Sequence, residues 1–173
     1  MALIVETGAV VIGADSYLSV VDATTYLVSR GKGDAWDAVD DQEAALRKAT
    51  DYITQAYRGR WTGYRFTVSQ SLDWPRAWVP IPDVPSGYGA FSAFVSNTIV
   101  PLEVKNACAE LALISSVTDL TATLTRPKIR TKVGEIEVQY NPYSPEYPRF
   151  RHIDMMFNPY LNSRGVNYAL VRA

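Results

Sequence analysis

Residues 41–57, DQEAALRKATDYITQAY, decide the fold. Neither Gly nor Pro interrupts them, and Leu46, Ala49, Tyr52 or Ile53, Ala56 and Tyr57 recur at helical spacing. One apolar stripe on an otherwise polar segment is the pattern of a helix that buries one face. Asp40 is placed to cap its start, with Glu43 at the third position, and Gly59 follows as its stop.

Working outward, Ser19 with Asp22 three residues later forms a capping-box-like pair for an earlier helix over 19–30. That helix carries Val20, Val21, Ala23, Tyr26 and Leu27 inward, and Gly31 supplies its left-handed stop. Ahead of it, Ala2-Leu3-Ile4-Val5 reads as an edge strand or an arm. Between Asp34 and Asp41 a short turn or helix holds Trp36 and Val39. On the other side, Pro101 stands where a helix starts, ahead of Leu102, Val104, Ala107, Cys108, Leu111, Ala112 and Ser115. This third helix, over 101–117, has a small apolar stripe suited to packing on the central one. Glu103, Lys105, Asn106 and Glu110 form its wetter side.

Residues 128–140, KIRTKVGEIEVQY, alternate with the two-residue period of a strand. A two-residue turn at Val133-Gly134 sets Lys132 beside Glu135 and Arg130 beside Glu137. Val suits primed turns poorly, so a three-residue loop with a bulge at Gly134 is the alternative. The expected fold is therefore mainly α: a small helical bundle with a β-hairpin and an extended C-terminal arm. Residues 1–140 form its domain, with a long Pro/Gly/Ser-rich loop at 79–100. Residues 141–173 form the arm, where Pro142, Pro145, Pro148 and Pro159 alternate with Tyr143, Tyr147, Phe150, Phe157, Tyr160 and Tyr168. Only a short helix near Arg151–Phe157 fits there. Such a segment needs a surface to lie on, its own domain or a neighbouring copy.

Composition narrows function by exclusion. At 47% hydrophobic and 20% charged residues, the chain can bury a core and is not a disordered chain. With 17 basic and 18 acidic side chains it is no generic basic coat for nucleic acid. One Cys and one His build neither a disulfide nor a Cys/His zinc site. No run of 18 apolar residues marks a membrane span, and the N-terminus lacks the pattern of a signal peptide. These features lead to the expectation of a soluble, intracellular type of protein. The near-neutral balance conceals polarity: residues 1–57 carry a net −5, residues 58–173 a net +4. That polarity suits either a solvated acidic helix face or copies that pack head to side.

No catalytic set emerges. His152 sits beside Arg151 and Asp154 without a serine elbow, and Cys108 lies on an apolar stripe where an inert thiol is expected. Asp34, Asp37, Asp40 and Asp41 lack the spacing of a calcium loop. The Gly-X-Gly at 31–33 lacks a preceding strand. No metal, cofactor or enzymatic activity is expected. Residues 58–78, RGRWTGYRFTVSQSLDWPRAW, hold a constellation with binding chemistry, and Arg126, Lys128, Arg130 and Lys132 add a cationic strand face whose partners are Glu135 and Glu137. Arg58, Arg60, Trp61, Arg65, Trp74, Arg76 and Trp78 interleave cations with rings that can stack bases and hold phosphates. The competing reading buries Trp61 and Trp74 as a structural brace, with Pro75 fixing the chain's exit and Arg76 lying across the rings.

The stretches ALIVETG, ADSYLSVVDATTYLVSRG, AALRKATDYI, YRGRW and LDWPR stand in an order and spacing that resemble a phage protein family. Its members are sometimes described as DnaT-like single-stranded-DNA-binding proteins. It is similar in layout to the head-to-tail connector, adaptor or head-completion proteins of tailed phages. The resemblance covers residues 2–78 well, and the 101–117 helix and the 128–140 strands match in kind. It implies a structural virion protein of the neck, made in the host cytoplasm. Such a protein forms a dodecameric ring under the portal, joins the capsid to a neck or tail protein and lets DNA pass through its lumen. Tyr143, Tyr147, Phe150, Phe157 and Tyr160 are then candidates for contacts with neighbouring copies or the portal. The alternative it implies is a single-stranded-DNA-binding module using Arg58, Arg60, Trp61, Trp74, Arg65 and Arg76.

Overall fold

A computed structural model describes residues 2–81, 93–124, 128–132, 137–140 and 148–162, the side chains of 128–132 and 137–140 excepted. Among these the chain is mainly helical: α1 Val20–Ser29, α2 Gly33–Asp37, α3 Gln42–Tyr57, α4 Leu102–Ser115 and α5 Arg151–Phe157. Two two-stranded antiparallel pairs accompany them, β1 Tyr64–Arg65 with β2 Arg76–Ala77, and β3 Lys128–Lys132 with β4 Glu137–Tyr140.

The α3–α4 pair is the centre of the bundle. Ala45, Leu46, Ala49 and Ile53 face Val104, Ala107, Cys108, Leu111 and Ala112, all buried. Small side chains at Ala45, Ala49, Ala107 and Ala112 let the two backbones approach and fill the space between them. Asp41, not Asp40, caps α3, its carboxylate accepting the Ala44 N–H at 2.9 Å. Ser19 caps α1 by accepting the Asp22 N–H at 3.1 Å.

On α1 the buried residues are Ala23 and Leu27, whereas Val21 is 73% exposed, a correction to its expected inward placement. Val20, Ala23 and Leu27 recur on one side of the helix, and Val21 lies about 100° round from Val20, which turns it away from that side. The ring of Trp36 on α2 fills the space beside α1, its indole N–H donating to Thr24 Oγ1 at 2.9 Å. Glu110 is likewise not on a wet face. It is buried on α4, and Lys32 Nζ reaches its Oε2 at 2.6 Å.

The N-terminal run pairs with the segment just before α1: Glu6 N–H donates to Ser16 O, and Asp15 N–H to Ile4 O. At the other end, residues 150–161 lie on their own bundle. Ile153 and Phe157 are fully buried, and α5 packs on α4. Tyr143, Tyr147 and Tyr168 lie outside the described residues, as do residues 82–92 of the 79–100 loop.

The hairpin forms with a different register. Lys132 pairs with Glu137 and Arg130 with Gln139, with an irregularity between Lys128 and Arg130. Neither the two-residue turn nor the three-residue loop is compatible with strands that end at Lys132 and Glu137.

Candidate nucleic-acid interface

Residues 58–78 leave the end of α3, run out along β1 and return along β2, with Tyr64 opposite Ala77 and Arg65 opposite Arg76. Gly63 makes the close approach possible. Its φ is +63°, and a Cβ there would lie 2.2 Å from the Ala77 carbonyl oxygen.

The inner side of this segment is core. Trp61 and Trp74 are 2% and 0% exposed and meet edge to face, with centroids 5.7 Å apart. Phe157 packs on Trp61 at 5.0 Å, and Tyr160 packs on Trp74 at 5.6 Å, so α5 and the turn after it close the cluster. Phe150 reaches α3 instead, with its ring 5.6 Å from that of Tyr52. These rings are Phe150, Phe157 and Tyr160 of the expected intermolecular set, and Phe157 is wholly enclosed by its own chain. The Trp74–Pro75 peptide is cis.

Arg76 is buried at 6% exposure, and its guanidinium is occupied by backbone. Nε and Nη2 donate to the carbonyls of Thr62 and Gly63, each at 2.9 Å, and Nη1 to that of Asp73 at 3.3 Å. Burial lowers its pKa from the usual arginine range. Neither Trp61 nor Arg76 is therefore presented to a strand of DNA, a correction to the contact set expected from sequence. Their side chains close the core because Trp brings a large apolar surface and Arg brings donors for the loop carbonyls. Arg65 donates to the Gln70 carbonyl.

Two cations remain half exposed. Arg58 Nε donates to Oδ1 of the enclosed Asp73 at 2.9 Å, and Asp73 N–H donates to the Tyr17 hydroxyl at 3.1 Å. Burial, with Asp73 adding to it, raises the Tyr17 phenol above the ordinary range. Arg60 stacks over the Tyr57 ring at 4.7 Å and lies 3.6 Å from Asp154.

The outer side carries rings. Tyr64 is 74% exposed, Phe66 is 44% and Trp78 is 67%. Trp78 has a φ of +61°, a left-handed conformation unfavourable for a bulky residue, and Phe94 props it edge-on at 5.3 Å. Trp78 was legible in the interleaved set. Tyr64 and Phe66 were not singled out, although their spacing on either side of Arg65 is the mark of a shared strand face.

The remaining candidates are placed as follows. Cys108 is enclosed beside Thr50 Oγ1 at 3.4 Å, and burial pushes its thiol up to about 11. His152 is exposed on α5. Among the described residues no group of three or more His, Cys, Asp or Glu is arranged to hold a metal ion. Among them, too, no helix is long and apolar enough to cross a membrane.

Neither curated proteins nor solved structures give a match to this chain. One family model matches all of residues 1–173. The chain belongs to the family described as "Putative DnaT-like ssDNA binding protein".

Proposed function

We propose that the protein binds single-stranded DNA along the outer side of residues 58–78. The observation that carries this reading is Trp78, a large ring held out to solvent on a strained backbone. Strain of this kind, about 1–3 kcal/mol, persists where the surrounding structure imposes it and clusters at binding sites. Its chain neighbour Ala77 pairs with Tyr64, so a second exposed ring stands across the ribbon. Bases stack on such rings without regard to sequence, each worth about 1–3 kcal/mol. Arg58 and Arg60, half exposed, supply cations for the backbone. Family membership supports the same reading. The protein acts by binding, without covalent chemistry. Anisotropy of a labelled oligo-dT should rise on titration, and the affinity should fall with a log–log salt slope of about −1.4 for two neutralised phosphates. Equal affinity for duplex and single strand, or no binding at low salt, would overturn the proposal.

A second reading is favoured by a different observation. Ile12, Val68, Val117 and Met155 are 91%, 96%, 86% and 67% exposed, apolar side chains that an assembly would cover. In this reading the chain is a subunit of a head-to-tail connector ring, dodecameric, below the portal of a phage virion. It is assembled in the host cytoplasm by heterologous contacts that close on themselves. The portal above, a neck or tail protein below and DNA in the lumen are its partners. A light-scattering mass that stays at the 19.2 kDa of one chain when portal is added rules it out.

A further inference from the structure

Phe94, the ring that meets Trp78 edge-on, also lines a groove of about 540 Å³ with Ile99, Pro101, Leu102, Glu103 and Tyr160. The chain beyond β2 puts it there. Pro80 pairs with Phe94, and the Val95 N–H donates to the Val79 carbonyl at 2.9 Å, so the ribbon that carries Trp78 continues into the groove wall. Trp78 stands two residues before Pro80, the diagonal neighbour of Phe94 across the pair. Tyr160 is tied to the other arm of the ribbon, where the Thr62 N–H donates to its carbonyl at 2.9 Å.

The walls are apolar and open: Leu102 is 66% exposed, Ile99 45% and Phe94 42%. Among the described residues that line the groove, Glu103 is the only charged one. Its Oε2 accepts the Tyr160 hydroxyl at 2.7 Å, which holds the carboxylate at the wall. A carboxylate oxygen accepts twice, so Oε2 keeps a lone pair, and among the described residues Oε1 accepts no hydrogen bond. Such a groove repels a phosphate. It matches a flat apolar ring that carries two donors side by side on its edge.

We infer that the groove takes one guanine of the bound strand, with its N1–H and its N2 amino group donating to the Glu103 carboxylate. The inference rests on the single-strand reading above and adds to it a preference at one position. Guanine alone among the four bases has two adjacent donors on its Watson–Crick edge, the edge that proteins read on unpaired bases. A carboxylate is the bidentate complement of such a pair. Adenine and cytosine set an amino group beside a ring-nitrogen acceptor, and the thymine N3–H lies between two carbonyls. In each of these an acceptor would face the second carboxylate oxygen. A strand stacked on Trp78 meets Phe94 next, so the ring holds any base while Glu103 selects its neighbour.

The test is competition for the full chain, read by anisotropy, between oligo-dT and the same oligonucleotide with one central dG. A single dG cannot form a quadruplex. It should bind about fivefold tighter or more, the low end for a bidentate contact to a base. Inosine at that position lacks the N2 amino group and should lose most of the gain. The 7-deaza analogue of guanine keeps both donors and should hold it. Glu103→Ala should bring the ratio of the two affinities to about one, and the ratio is unmoved by the general effect of a lost charge on strand binding. The modified bases act on the wild-type protein, so the answer does not depend on how the variant folds. Oligo-dT binding with no gain from dG overturns the inference and leaves the single-strand reading standing. So does a gain that inosine or Glu103→Ala retains, or one that the 7-deaza analogue loses. If none of these strands binds, that reading fails and the inference fails with it.

Discussion

Asp73 is enclosed, yet its carboxylate is held by an arginine that is itself half in solvent: Arg58 Nε lies 2.9 Å from Asp73 Oδ1. Arg58→Ala removes that partner and leaves a buried charge with a weaker set of contacts. The expected loss is about 2–3 kcal/mol, read as a lower urea midpoint. Arg58→Lys should recover part of it, since a point charge replaces a directed fork. Any loss of DNA affinity in Arg58 variants is therefore to be compared at temperatures where they remain folded.

The tryptophans divide by burial. Trp61→Ala and Trp74→Ala should each destabilise the chain by about 3–5 kcal/mol, because each opens a large cavity in the ring cluster. Trp78→Gly should go the other way by about 0.5–1 kcal/mol, since glycine accepts the positive φ without strain. Thermal melts of the three variants check the division. Trp78 then exchanges stability for an exposed ring, as binding residues often do.

Glu6 is a buried carboxylate that accepts three backbone N–H groups, from Gly8 at 2.8 Å, Val10 at 3.1 Å and Val11 at 2.9 Å. Glu6→Ala strands those donors and should cost about 2–4 kcal/mol. Hydrogen exchange at residues 8–11 should accelerate first, which separates this local loss from global unfolding.

Alkaline pH should weaken the fold. Burial raises the Cys108 thiol to about 11, and burial above all raises the Tyr17 and Tyr57 phenols. The folded state therefore holds protons that the unfolded chain releases. For Cys108 the stabilisation is complete below its ordinary value near 9 and is lost as pH rises through about 11. Read from denaturant midpoints, Cys108 alone should lower stability by about 2 kcal/mol from pH 8 to pH 11, with the two tyrosines adding to the decline. Cys108→Ala should remove its share, the first part of the fall.

The helices were legible because their signals are local. α3 has an uninterrupted stripe, and α4 has a proline at its start and small residues along one face. Helix faces were less so, since Val21 and Glu110 depend on which neighbour arrives: Trp36 takes the space beside α1, and Lys32 supplies the charge for Glu110. The hairpin register failed because turn length, not charge pairing, sets it. At the candidate site, composition identified the right segment without telling its two sides apart. Trp61 and Trp78 look alike in sequence, and the packing of Tyr57, Trp74 and the α5 residue Phe157 on Trp61 distinguishes core from surface.

Trp78 also makes the most direct measurement possible. Trp36, Trp61 and Trp74 are 0%, 2% and 0% exposed, against 67% for Trp78, so tryptophan quenching by an added strand reports chiefly on that ring. Titration with oligo-dT should quench the emission and shift it. Trp78→Ala should abolish the change and weaken binding by about tenfold or more. Unchanged emission at saturating oligonucleotide, or a Trp78→Ala protein that binds as tightly as the wild type, would contradict the account.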